Sequence, residues 1–94
     1  MIIRTQNKQN IFNINAISGL GFSEYDSYQV YALCNGCEYL LGEYSTKYKA
    51  LKVLDMIQSK YLEPIYIADI GGGEFARYER KIFQMPDDND ESLI

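Results

Sequence analysis

Two groups of basic residues have the types and spacing to bind an anion. In the first group, Lys47 and Lys49 follow Ser45 and Thr46 at the start of an apolar segment with helical periodicity. The first N–H groups of a helix lack partners within it, and the helix dipole is positive at that end, so this position favours an anion such as a phosphate. The alternative is that both lysines are solvated on an exposed turn, because a cation in the first turn opposes the dipole only weakly.

The second group lies in the segment GGGEFARYERK. Its glycines lack a Cβ and allow the backbone to approach a ligand closely. Two arginines and a lysine offer donors to phosphate oxygens, and two aromatic rings offer faces on which a base can stack. These residues are Phe75, Arg77, Tyr78, Arg80 and Lys81. The spacing is not that of a dinucleotide fingerprint or a P-loop, and the alternative is a long hairpin loop whose arginines pair with nearby glutamates.

Catalytic and metal-binding chemistry is not indicated. The chain has no histidine, the commonest general base near neutral pH, and its carboxylates lack the paired spacing of glycosidases or two-metal sites. Cys34 and Cys37 form CNGC, but a zinc site needs about four ligands, and Asn35-Gly36 predicts a hairpin turn where a redox motif would open a helix. The sequence predicts a non-enzyme without catalytic residues, metal or cofactor, and two reduced cysteines that face each other across two strands.

One long helix is expected to position the first basic group. Ser45 or Thr46 is the predicted N-cap, and Pro64 is predicted to end the helix, which gives a length of about 17 residues. The lysines and other polar residues occupy one face. Apolar residues at helical spacing predict the inward face. They are Ala50, Leu51, Leu54, Met56, Ile57 and Tyr61.

Strands are predicted on both sides of this helix. Residues 2–5 and 10–16 predict one hairpin, and residues 27–35 and 37–44 predict another around a type I′ turn at Asn35-Gly36. A two-residue turn places Cys34 opposite Cys37, Ala32 opposite Tyr39 and Val30 opposite Leu41. Both faces of this hairpin are partly apolar, so its outer face is a candidate surface for a ligand or a second subunit.

The remaining segments complete an α+β fold. The pattern breaks at residues 18–21 and predicts a loop over residues 22–26, whereas residues 64–70 and 80–85 predict further strands. The sequence therefore predicts an antiparallel β-sheet of about five to six strands, with two hairpins, packed on one long α-helix.

Length and charge favour one small domain. The chain has 94 residues and a net charge of −4, but four of its acidic residues lie after residue 86. Residues 1–86 are therefore neutral, which disfavours both an acidic mimic of DNA and a basic nucleic-acid-binding face. We expect a compact domain over residues 1–86 and a disordered acidic tail over residues 87–94. No apolar run approaches the roughly 18 residues that span a bilayer, and the first residues lack the features of a signal peptide, so we expect a cytoplasmic protein.

Several motifs carry a resemblance to known proteins. The segments LGEYST, ALKVLDMIQ and FQMP, with the opening MIIRTQNKQ, resemble a group of small, mostly uncharacterised proteins from phages and mobile elements of Firmicutes. In that group a strand leads into a similar helix, and a short strand ending in Met-Pro closes the domain. The relatives carry acidic residues where Lys47 and Lys49 stand here, and no catalytic residue is carried over. The resemblance implies a phage-type protein that acts in the cytoplasm of the host cell.

Two binding functions follow from these observations. In the first, the protein antagonises a bacterial defence by sequestering a nucleotide-derived signal, such as a cyclic or ADP-ribose-type nucleotide. Ser45, Thr46, Lys47 and Lys49 would hold its phosphates, the second basic group would close over them, and Tyr44 or another ring would stack on the base. In the second, it inhibits a host defence protein through its tyrosine-rich sheet face and its acidic tail. A phage accessory protein without a ligand is a third alternative, and the small core favours a homo-oligomer in either binding case.

Overall fold

In the part of the chain that the structure describes, five strands precede one long helix and three short strands follow it. The computed structural model describes residues 1–62 and 81–94, together with the backbone of residues 68–70 and 73–75. Helix α1 (Lys47–Tyr61) follows the fifth strand, and two short 3-10 helices cover Ile14–Ala16 and Glu91–Leu93. The strands are β1 (Ile2–Arg4), β2 (Ile11–Asn13), β3 (Gly19–Glu24), β4 (Tyr28–Cys34), β5 (Cys37–Tyr44), β6 (Ala68–Ile70), β7 (Gly73–Phe75) and β8 (Ile82–Gln84).

These strands form two three-stranded sheets and a hairpin. The first sheet has the order β2-β1-β8, the second is the meander β3-β4-β5, and β6 pairs with β7. Helix α1 packs on the β3-β4-β5 sheet, so the predicted α+β fold on one helix is confirmed. Two details differ. The strands form separate sheets where one sheet was predicted, and β8 runs parallel to β1 whereas the other pairs are antiparallel. The two strands lie near opposite ends of the chain, and no turn between them reveals their relative direction.

The β4-β5 hairpin agrees with its prediction around the turn. Asn35 and Gly36 have φ values of 52° and 78°, as a type I′ turn requires. Cys34 faces Cys37. Further along, a β-bulge shifts the register between Val30 and Tyr31, so Val30 faces Gly42 and not Leu41 as predicted. The extra residue is absorbed at Leu41, which is buried in the core.

Strand β3 corrects the predicted loop over residues 22–26. It pairs along its whole length with β4, up to the contact of Glu24 with Tyr28. Its glycines suggested a break, but Gly21 makes room for the ring of Tyr31, whose hydroxyl oxygen would lie 2.5 Å from a Cβ at that position. Tertiary packing here outweighs the low strand propensity of glycine. The second predicted strand is also shorter than expected, because Asn13 caps the 3-10 helix that follows it.

Helix α1 contains 15 residues. Ala50, Val53 and Ile57 are its buried residues, and Leu54 and Met56 pack partly against the core. Leu51 and Tyr61 were predicted to face inward and are exposed. Leu51 lies about 100° around the helix from Ala50, off the buried stripe, and Tyr61 is the last helical residue. The helix ends at the C-cap Leu62, and the predicted stop at Pro64 lies outside the described residues.

The acidic tail is part of the packed structure. Leu93 is 1% exposed and belongs to the same core cluster as Ile3, Val30 and Ile57. Asp90 caps the 3-10 helix Glu91–Leu93 by accepting hydrogen bonds from the N–H and the hydroxyl of Ser92. The expectation of a disordered tail over residues 87–94 is therefore not met. Although this segment is mainly polar, the burial of Leu93 and the hydrogen bonds of Asp90 fix it against the core. Within the described ranges, no helix is long and apolar enough to cross a membrane.

Candidate functional site

The start of α1 is held by Thr46, one of the two predicted N-caps. Its backbone is extended, with φ −132° and ψ 151°, and its hydroxyl accepts a hydrogen bond from the N–H of Lys49. This satisfies one of the N–H groups that a helix leaves without a partner in its first turn. Ser45, the residue before the cap, does not cap the helix, and its N–H and hydroxyl contact another segment.

An internal anion occupies the position predicted for a ligand. Oδ1 of Asp88 accepts from the N–H of Ser45 at 2.8 Å and from its hydroxyl at 3.1 Å. The ammonium of Lys49 lies 3.5 Å from the same oxygen and donates to the backbone carbonyl of Asp88 at 2.7 Å. The N–H of Ser45, above all, holds the pKa of the Asp88 carboxyl below its usual value, with further contributions from the Ser45 hydroxyl and Lys49. Ser45 and Lys49 therefore bind a carboxylate of the chain itself in the structure.

Lys47 points to a different partner. Its ammonium lies 3.2 Å from a carboxylate oxygen of Glu24 and 5.8 Å from the ring centroid of Phe22. The Phe22 ring in turn stacks on Tyr28, with centroids 6.2 Å apart. Side chains that are two residues apart in a helix project in roughly opposite directions. Lys47 accordingly contacts β3, whereas Lys49 contacts the tail, so the two lysines do not converge on one point.

Tyr44 is a core residue. Its side chain is buried, and its hydroxyl donates to the backbone carbonyl of Pro86 at 2.8 Å. Burial raises the pKa of the Tyr44 phenol, with further contributions from Asp87, Asp88 and Asp90. A ring buried in this way has no face available to stack on a base, which corrects its predicted role.

Lys81 lies at the other end of the helix. Its ammonium donates to the backbone carbonyls of Lys60 and Tyr61, both at 3.1 Å, where the negative end of the helix dipole favours a cation. A helix of this length separates its two ends by about 20 Å. The structure therefore does not bring Lys81 together with Lys47 and Lys49 around one phosphate.

The other members of the second basic group are only partly described. Phe75 is the last residue of β7 and pairs through its backbone with Ala68, but its side chain lies outside the described part of the structure. The predicted roles of Arg77, Tyr78 and Arg80 concern residues that also lie outside it. These roles stay predictions.

The outward side of α1 carries Tyr48 and also Leu51, which was predicted to face inward. Tyr48 is 63% and Leu51 is 42% exposed. They border a shallow groove of about 370 Å³ along the helix, together with Lys52, Asp55, Met56 and Ser59. The ammonium of Lys52 lies 5.5 Å from the ring centroid of Tyr48. We call these six residues the outward helix face, and Met56, which also packs partly against the core, lies at its edge.

Gln6 and Asp88 are important residues that the sequence did not reveal. The Gln6 amide bonds both the N–H and the carbonyl of Glu43, at 2.9 and 3.0 Å, and also the carbonyl of Pro86 at 3.1 Å. It thereby joins β5 to the chain after β8. Both residues stand in polar segments, and only the Asp-rich composition after Met85-Pro86 could have suggested that a carboxylate there accepts hydrogen bonds from the backbone.

No metal site is found among the described residues, because no three cysteine or acidic side chains there are grouped to hold an ion. Comparisons with protein-family models, with curated proteins and with solved structures give no match. Function is therefore inferred from the geometry of the residues and from the resemblance of the sequence motifs.

Proposed function

We propose that this protein is a non-enzymatic binding protein that contacts another protein through its outward helix face. The observation that carries the proposal is the exposure of Tyr48 and Leu51 in one groove, on the side of α1 that faces away from the core. Tyrosine is enriched at interfaces because it offers a large rigid area and a polar end. An apolar centre with a polar rim is also the usual arrangement of a protein-binding patch.

The polar residues of the outward helix face set the character of its partner. Lys52 and Asp55 carry opposite charges and, with Ser59, form the rim of the groove. This face offers neither a basic track for nucleic acid nor an acidic surface that mimics it. A partner that buries an apolar side chain between Tyr48 and Leu51 fits it best. The resemblance to small phage proteins supports the further proposal that this partner is a bacterial defence protein, bound in the host cytoplasm.

A photo-crosslinking experiment tests this proposal. A photoreactive phenylalanine analogue is introduced at Leu51 and, as a matched control, at Lys8, which is exposed in the turn between β1 and β2. Irradiation in a bacterial host should link a defined host protein at position 51 and not at position 8. The same products at both positions, or none at position 51, would count against the outward helix face.

Substitutions then measure the contribution of the patch. The double variant Tyr48→Ser, Leu51→Ser should bind the identified partner at least about tenfold more weakly, because two central apolar contacts are lost. Tyr25→Ser is the control, since Tyr25 is 90% exposed and lies in the turn between β3 and β4. Sedimentation of the wild type and the double variant also tests the expected homo-oligomer, because self-association through this face would disappear in the variant.

An anionic nucleotide is the second candidate ligand. The observation in its favour is that Ser45 and Lys49 direct three donor groups at one carboxylate oxygen of Asp88. A phosphate that displaces Asp88 would meet the same donors. Calorimetric titration with cyclic di- and trinucleotides and ADP-ribose derivatives tests this. Asp88→Ala should then bind more tightly than the wild type and Lys49→Glu more weakly. Absence of heat with both the wild type and Asp88→Ala would exclude these ligands.

A further inference from the structure

The tip of the β4-β5 hairpin holds two thiols in direct register. Cys34 and Cys37 close the two-residue turn and face each other across the strands. Both are free thiols, Cys37 exposed and Cys34 partly buried. The turn residues between them, Asn35 and Gly36, are also exposed. A small molecule in solution can therefore reach this position without any opening of the core.

The geometry of an antiparallel pair suits a bond between these side chains. Residues directly opposite each other have Cα atoms about 4.5 or 5.5 Å apart, depending on the type of pair. Disulfides form at Cα separations of roughly 4.4 to 6.8 Å, so either pair type lies within reach. Directly opposite side chains also project to the same face of the sheet. A two-residue turn thus places the thiols where a bond can form without moving either strand as a whole.

We propose that Cys34 and Cys37 form a reversible dithiol–disulfide site whose oxidant is a low-molecular-weight disulfide. The exposed Cys37 is the attacking residue and Cys34 the resolving residue. This site is independent of the outward helix face and of the contacts of Asp88 with Ser45 and Lys49, neither of which includes a cysteine.

The reaction is two thiol–disulfide exchanges. The Cys37 thiolate attacks one sulfur of the oxidant, so a mixed disulfide forms, the oxidant's S–S bond breaks and one thiolate leaves. The Cys34 thiolate then attacks the sulfur of Cys37, which forms the internal disulfide and releases the second thiolate. The two protons of the protein thiols pass through the buffer to the released thiolates. Two electrons pass to the oxidant, which ends as two thiols.

Oxidation also changes a contact of the hairpin. The Cys34 thiol donates to the backbone carbonyl of Ala16 at 3.5 Å, which joins the 3-10 helix Ile14–Ala16 to β4. A disulfide has no S–H group, so this bond is lost when the site is oxidised. The hydroxyl of Ser18 still donates to the carbonyl of Leu33, so the segment between the 3-10 helix and β3 stays bonded to β4.

The test uses the full chain and oxidised glutathione under native conditions. After an acid quench, the intact mass of the wild type should fall by two hydrogens, with no glutathione retained, and dithiothreitol should restore it. Cys34→Ser should retain one glutathione on Cys37, because the resolving thiol is missing. Cys37→Ser should react more slowly than Cys34→Ser, because the remaining thiol is partly buried.

A register control separates opposition across the strands from mere proximity in sequence. The double variant Cys37→Ser, Glu38→Cys moves the second thiol by one residue, to the opposite face of β5. It should accumulate mixed disulfides and form no internal bond. Circular dichroism before and after treatment verifies that each variant is folded. A folded wild type that keeps both thiols, retains glutathione or forms disulfide-linked dimers would overturn the proposal.

Discussion

Asp88 accepts hydrogen bonds from both the backbone N–H and the hydroxyl of Ser45, although the two residues lie 43 positions apart in the chain. The contact joins the segment after β8 to the start of α1. Lys49 adds an ammonium group from the first turn of the same helix. The tail, residues 87–94, therefore contacts the start of α1, and its removal should lower the stability of the fold.

Replacing Asp88 by alanine should lower the free energy of unfolding by about 1 kcal/mol, the usual net contribution of a hydrogen bond to stability. Asp88 is partly exposed, so its ion pair with Lys49 contributes little beyond the hydrogen bonds. Urea denaturation measures the effect. Asp87→Ala is the matched control, because it removes the same charge from the neighbouring exposed position. Equal losses in both variants would mean that net charge, and not the Ser45 contact, is responsible.

The same contact predicts loss of stability in acid. Because the pKa of Asp88 is lower in the folded chain than in the unfolded chain, its contribution is present above the unfolded pKa and disappears as the pH falls through the folded one. The stability difference between wild type and Asp88→Asn should therefore narrow steadily below about pH 4. Denaturation curves recorded over this range test the sign. A difference that stays constant in acid would contradict it.

Local patterns in the sequence predicted the long helix and the β4-β5 turn, although they missed β3. The helix, its cap at Thr46 and the turn at Asn35-Gly36 all depend on residues within a few positions of one another. Contacts between remote segments were not predictable in this way. The bulge at Leu41 arises from packing against the core, and the parallel pairing of β8 with β1 carries no local signal.

The candidate site shows the same division. The sequence predicted a ligand anion at the start of α1, because N-terminal N–H groups and hydroxyls attract anions in any helix, and a ligand there stays a prediction. It could not indicate that Asp88 occupies this position. A run of acidic residues predicts a solvated tail whether or not that tail packs against the start of the helix. Tyr44 and Lys81 were assigned to the site by residue type. In the structure, Tyr44 is buried and cannot stack on a base, and Lys81 lies at the other end of the helix.

Leu93 provides a test of the folded tail. Leu93→Ala should lower the free energy of unfolding by about 2–4 kcal/mol, because a buried side chain is replaced by a cavity. Ile94→Ala should change it little, since Ile94 is 83% exposed. Thermal or urea denaturation of both variants gives the comparison. If the two substitutions prove equally mild, Leu93 does not belong to the core in solution.

Tyr44 predicts the behaviour of the protein in alkali. Tyr44→Phe should lower the free energy of unfolding by about 1 kcal/mol, and not more, because the amide of Gln6 still donates to the carbonyl of Pro86. Burial raises the pKa of the Tyr44 phenol in the folded chain, so its contribution is complete below the unfolded pKa and is lost as the pH rises above about 10. In Tyr44→Phe, the free energy of unfolding should therefore fall less steeply with pH above about 10 than in the wild type. Tyr25→Phe should leave this pH dependence unchanged, because Tyr25 is 90% exposed. Phenolate absorbance followed together with circular dichroism measures both effects. Ionisation of all the tyrosines before any loss of structure would show that Tyr44 is not buried as described.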